Sequence, residues 1–170
     1  MNPRWLGSAV ALGVFLADQA AKLAVLTTFA GSAERSTPLA PVVDLALRWN
    51  RGISFSLFVQ NSAAGRAALL GFTAAAVALL AWWLATCRSL LTAAGLGAII
   101  GGALGNALDR IVHGAVLDYL DLHVLGWHLF VFNLADAAIN VGVAILVLDL
   151  VFGPAGANHR AVSAPTKGEK

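Results

Sequence analysis

"FNLADAAINVGVAILVLDLVF", Phe132 to Phe152, is long and apolar enough to cross the ~30 Å hydrocarbon core of a bilayer as a helix. It also carries Asn133, Asp136 and Asn140 near its start. A lone ionisable group at membrane depth costs several kcal/mol, on the order of 3 by insertion scales. That cost needs an offset or a use. No basic residue lies within one turn of Asp136, so the segment supplies no partner of its own.

Working outward, three more stretches have spanning length: roughly Trp5–Thr27, Arg66–Thr86 and Leu90–Leu108, with the fourth at Val131–Phe152. Hydrophobic residues make up 59% of the 170 and charged residues 12%, against roughly 25% charged in soluble domains. The chain is therefore expected to be an all-α membrane protein with four transmembrane helices. One domain is expected over residues 1–152, with a disordered cytoplasmic tail at 153–170. Trp82 and Trp83 close the second span and suit the headgroup zone. Gly97, Gly101 and Gly105 put small residues on one stripe of the third, which permits close helix contact. The link around Arg88 is a tight hairpin. "VVDLALRWNRGISFSLFV" alternates in part and predicts short strands over 42–59, whereas 109–130 is read as a connection. The first apolar stretch runs past Asp18 and Lys22 to Phe29, so it reads as a retained span and not a cleaved signal peptide.

Several function classes fall away. A net charge of +2 on scattered basic residues does not suit nucleic acid. Cys87 is the sole cysteine, so there is no internal disulfide and no cysteine metal cluster. His113, His123, His128 and His159 fall at no metal-helix spacing, and no metal or cofactor is expected. The three loop-side histidines read as interfacial.

Four spans place both termini on one side, and the small Lys/Arg excess there puts the termini in the cytoplasm. Helices alternate in direction, so Asp18 and Lys22, then Asn106, Asp109 and Arg110, then Asn133 and Asp136 all fall at the end away from the termini. Asn50, Arg51 and Asp118 lie in the loops on that side. Asn133, Asp136 and Asn140 share one helical stripe, and so do Gly102, Asn106 and Asp109. Packed inward, these stripes would enclose a small wet cavity open to the outer surface. Asp18 and Lys22, at i and i+4, read as a structural ion pair. Asp109–Arg110 reads as an interfacial pair, Asp121 as a solvated loop residue and Asp149 as incidental.

Such a cavity offers carboxylates and no Ser-His-Asp grouping. Two carboxylates sharing a site do not both ionise easily. The ionised one can draw a proton from water while the protonated one donates to a carbonyl oxygen. That is amide hydrolysis by an aspartic dyad. Asp136 is the first nominee, and Asp118, Asp109 and Asp18 all remain open as its partner.

Five blocks, in order, carry a resemblance: "DQAAK" (Asp18 to Lys22), "NRGISFS" (Asn50 to Ser56), "GNALDR" (Gly105 to Arg110), "GAVLDY" (Gly114 to Tyr119) and "FNLAD" (Phe132 to Asp136). The chain resembles the lipoprotein signal peptidases, the signal peptidase II family of bacterial inner-membrane aspartic peptidases. The resemblance implies four transmembrane helices with a small periplasmic β-cradle and a periplasmic surface helix. It implies a catalytic pair at Asp118 and Asp136, with Asn50, Asn106, Arg110 and Asn133 lining the site and Asp18 and Lys22 supporting the first helix. The implied substrate is a diacylglyceryl-modified prolipoprotein, cut just before the lipidated cysteine. Membrane lipid is the other implied partner, and a monomer is expected. Arg51 replaces a more usual small or polar residue, and Tyr119 stands where Phe is common. A transporter or channel would spread polar residues through the full depth, which this chain does not. A helix-packing protein would leave Asp118 and Asp136 without a role. The G-x-G-D signature of other intramembrane aspartic proteases is absent.

Overall fold

The computed structural model describes residues 1–52 and 63–152. The later part of the "NRGISFS" block, the strand expectation beyond residue 52 and the tail expectation at 153–170 lie outside these residues. The elements run α1 (Pro3–Thr28), β1 (Ser36–Ala40), β2 (Val43–Asn50), α2 (Ala63–Thr86), α3 (Leu90–Val112), β3 (Val116–Val124), β4 (Trp127–Phe132) and α4 (Leu134–Phe152). All four helices are long and apolar enough to cross a membrane. Among the described residues there is no separate short surface helix.

The helix starts are chemically marked. Asn2 accepts a hydrogen bond from the Arg4 N–H at 3.0 Å, with Pro3 at the first helical position. Ser89 accepts from the Thr92 N–H at 3.1 Å and opens α3. α3 is the central helix and the most buried of the four. Its glycines explain why. A Cβ on Gly97 would meet the Gly7 backbone, one on Gly101 would meet Ala11, and one on Gly105 would meet the Asp18 carboxylate. Residue numbers rise together along this seam, so α1 and α3 run parallel. On another face Gly95 abuts Gly142 and Gly102 abuts Ala135, which makes α4 antiparallel to α3. Without side chains at these points the backbones approach closely, which is what drives helix association where lipid is as apolar as the helix surface. Leu84, Ala93, Leu96 and Ile100 fill the core at the end near the termini.

The other end holds a four-stranded antiparallel sheet in the order β1-β2-β3-β4. Half of it comes from residues 109–130, read from sequence as a connection. β3 and β4 form a hairpin whose two-residue turn, Leu125–Gly126, has φ of 51° and 82°. Both residues are left-handed, the geometry that matches strand twist in a two-residue hairpin. Successive side chains of β3 face opposite ways. Leu117 and Tyr119 pack with Val25 of the first helix and Phe29 just past its end, and Asp118 between them faces away from that core.

Candidate active site

The site is assembled around the start of α4, whose first backbone N–H groups have no partner within the helix. Leu134 N–H donates to the Tyr119 hydroxyl at 3.1 Å and Ala135 N–H to Asp18 Oδ1 at 3.0 Å. Asp136 N–H donates to Asn133 Oδ1 at 2.9 Å, and Ala137 N–H to the Asn133 carbonyl at 3.2 Å. Asn133 is thus the N-cap, just outside the helix. β3, α1 and the chain entering α4 all hold the same helix end. Tyr119 gains a role the sequence did not disclose, and burial pushes its hydroxyl up to about 12, so it stays neutral.

Asp136 sits in the first turn of α4. Asn106 Nδ2 of α3 donates to its Oδ1 at 2.8 Å. Asp118 on β3 accepts from Asn50 Nδ2 at 2.9 Å and from Asn133 Nδ2 at 2.7 Å. Asn133 therefore joins the two: its amide nitrogen reaches Asp118 and its oxygen takes the Asp136 N–H. Neither carboxylate has a salt-bridge partner among the described residues. Both line one cavity of about 140 Å³ with Asn50, Phe130, Val131, Phe132, Ala137 and Asn140. An adjoining cavity of about 350 Å³ shares Asn50 and Asp118 and adds Arg48, Trp49 and Leu129. Burial pushes the Asp118 carboxyl up to about 6, and the nearby Asp136 charge adds to this against the two amide hydrogen bonds.

Behind the cavity lies a buried ionic triad. Lys22 Nζ is 2.7 Å from Asp18 Oδ2 and 2.8 Å from Asp109 Oδ2, and donates to Asn106 Oδ1 at 3.1 Å. The Asp18–Lys22 pair reads as the sequence implied. Asp109 does not: it is buried, it pairs with Lys22 and not Arg110, and it accepts the Leu117 N–H at 3.1 Å. It thereby ties α3 to the strand that carries Asp118. Arg110 donates to the Asn106 and Gly52 carbonyls at 3.2 and 3.1 Å. Gln19, not singled out from sequence, reaches Asp18, Asp109 and the Gly105 carbonyl.

Two more expectations are corrected. Asp121 is not solvated: it is fully buried in β3, 3.3 Å from Arg48 and 2.9 Å from His128. Asp149 is not incidental: Ser89 and Thr92 both donate their hydroxyls to its Oδ2, fastening the end of α4 to the start of α3. His123 lies 3.2 Å from Asp44, and the His113 ring stacks at a tilt on Trp49. No group of three or more metal-ligating side chains occurs among the described residues.

A sequence model of the Signal peptidase (SPase) II family matches residues 10–152. The chain belongs to the signal peptidase II family. It is 44% identical over 155 residues to the lipoprotein signal peptidase of Methylobacterium sp. (strain 4-46), covering 91% of this chain and 94% of that one. It is 48% identical over 149 residues to that of Beijerinckia indica subsp. indica, covering 88% and 89%. A solved bacterial membrane enzyme shares the fold with a TM-score of 0.71 at 20% identity, over 96% of this chain and 93% of that one. The protein is thus a bacterial membrane protein of a protease family, mostly helical, with a small antiparallel sheet at one end.

Proposed function

We propose that the chain is a membrane aspartic endopeptidase that removes the signal peptide from diacylglyceryl-modified prolipoproteins, cutting just before the lipidated cysteine. The observation that carries this is one cavity lined by Asp118 and Asp136 and bridged by Asn133, with neither carboxylate in a salt bridge among the described residues. The relatives are lipoprotein signal peptidases, which supports the substrate class.

In this reading Asp118 and Asp136 share one proton. The ionised carboxylate takes a proton from water as the water oxygen attacks the scissile carbonyl carbon. The protonated carboxyl gives its proton to the carbonyl oxygen. The tetrahedral intermediate then collapses: one hydroxyl returns its proton to the ionised carboxylate as the carbonyl re-forms, the C–N bond breaks, and the leaving amine takes the proton of the other carboxyl, which leaves the dyad with its single proton. Asn50 and Asn133 hold Asp118, and Asn106 holds Asp136. Arg110 fixes Gly52 next to Asn50, while Asp18 and Lys22 fix α1 against α3 and α4. The active site faces the periplasm at the outer surface of the inner membrane, with the termini in the cytoplasm. Residues 1–152 act as a single domain in a monomer, and lipid acyl chains rest on the apolar walls.

The test uses the protein in liposomes, a diacylglyceryl-modified prolipoprotein and a chelator. Wild type is expected to release the signal peptide, and Asp118→Asn and Asp136→Asn to release none while remaining folded. Full activity in either variant refutes the dyad. A folded wild type that cleaves nothing refutes the substrate assignment.

A further inference from the structure

Asn140 is the one polar side chain of the α4 stripe that the site described so far does not use. It lies one turn beyond Asp136 and lines the same cavity as both aspartates. Asp136 is held by Asn106 and Asn133 is buried in hydrogen bonds, but the Asn140 side chain is exposed and its carboxamide bonds to nothing among the described residues. It stands six residues into α4, ~9 Å along the helix at 1.5 Å per residue. The residues that follow it in the helix are apolar until Asp149. An unpaired amide at that depth is costly unless a polar group comes to meet it.

The peptide being cut is such a group. To present a scissile bond the signal peptide must unwind there, and unwound backbone in a bilayer has N–H and C=O groups without partners. The segment amino-terminal to the cut is the part that leads down into the membrane, which is the direction in which Asn140 lies from Asp136. A carboxamide offers a donor and an acceptor side by side, which matches the N–H and C=O of extended backbone; a lipid ester offers acceptors alone. We propose that Asn140 is a substrate-binding residue that pairs with the main chain of the signal peptide just amino-terminal to the scissile bond. The inference rests on the peptidase reading above. Through it the enzyme recognises an unwound backbone at a fixed depth below the dyad, whatever the side chains.

The test combines enzyme and substrate changes in lipid nanodiscs. Lipidated substrates are made with one backbone amide replaced by an ester at each of the positions preceding the cut, which deletes one N–H at a time. At one position the ester is expected to lower wild-type kcat/KM about tenfold, the scale of one hydrogen bond made in place. Asn140→Leu is expected to lower kcat/KM on the all-amide substrate by about that factor, mainly through KM, and to be indifferent to the ester at that position. Asn140→Gln is expected to recover part of the loss. Equal ester penalties in wild type and Asn140→Leu at every position overturn the proposal, as does a wild type indifferent to every ester. The latter result holds even if Asn140→Leu fails to fold. A wild type that does not cleave the all-amide substrate overturns the peptidase reading and this proposal with it. Cleavage of that substrate without an Asn140 effect overturns this proposal alone.

Discussion

Asp118 gives the most quantitative handle on the site. Burial lifts its carboxyl from an ordinary value of 3.8 to about 6. A carboxyl raised in the folded state binds its proton more tightly there than in the unfolded chain. Folding is therefore favoured while the group is protonated. That advantage is lost as pH rises from about 4 to about 6, and it is absent above. A shift of about two units at 1.36 kcal/mol each makes the loss about 3 kcal/mol. Asp118→Asn removes the titration. It also introduces a pH-independent penalty, because an asparagine presents one N–H₂ to a site where Asn50 and Asn133 both donate. The informative quantity is thus the difference between variant and wild type as a function of pH. The stability of Asp118→Asn relative to wild type is expected to rise by about 3 kcal/mol between pH 4 and pH 7, whatever its offset. Reversible unfolding by denaturant titration in mixed micelles, followed by circular dichroism at half-unit pH steps, measures this. A difference that stays flat across that range would refute the claim that burial, and not a hidden cation, governs this carboxylate.

Lys22→Met leaves Asp18 and Asp109 buried without their cation and is expected to cost about 3–5 kcal/mol, read as a lowered midpoint of thermal unfolding. A midpoint within error of wild type would mean the triad is not ionised. Gly97→Ala drives a methyl group into the Gly7 backbone and is expected to cost about 1–3 kcal/mol by prising α1 from α3. Gly13→Ala, with open space around it, is the control that should change little. Leu125 is 95% exposed with φ of 51°, so Leu125→Asn is expected to stabilise the hairpin by about 1 kcal/mol, seen as a raised midpoint. An unchanged midpoint would mean the turn bears no strain.

Most of the transmembrane layout can be read directly in the residues. Apolar runs of spanning length have few alternatives, and a carboxylate in such a run stands out against it. The depth of Asp18, Asn106 and Asp136 followed from the alternation of helix direction alone. The sheet was half legible. Residues 43–50 alternate clearly enough, whereas β3 alternates but carries Asp118, Asp121 and His123, which read as loop. Its hairpin turn uses leucine where asparagine or aspartate would have signalled it. Asp121 and Asp109 were misplaced for a related reason. A charge reads as solvated until its partner is known, and Arg48 lies 73 residues from Asp121, Lys22 87 residues from Asp109. Spacing within one element cannot report such pairs.

The same limit explains why Asp136 could be nominated from the residues while its partner stayed open among Asp118, Asp109 and Asp18. All three touch the start of α4 or its supports, but in different capacities. Asp18 takes a helix N–H and Asp109 takes the N–H of β3, so both are held by donors and by Lys22. Of the three, only Asp118 lines the cavity with Asp136, held by amide donors and in no salt bridge among the described residues. What separates them is the bonding around them, and Asn133 sets most of it. Its oxygen caps the helix at Asp136, and its nitrogen donates to Asp118 and Asn106. An aspartate would cap the helix equally well. It would place a third carboxylate against Asp118, however, and lose both donated bonds. Serine would cap but could not span both partners. If Asp118 and Asp136 are the proposed catalytic pair, that chemistry calls for a carboxamide at the N-cap. The F-N-x-A-D block is the sequence form of that requirement: the asparagine starts the helix, and three residues later the helix delivers Asp136 to the cavity.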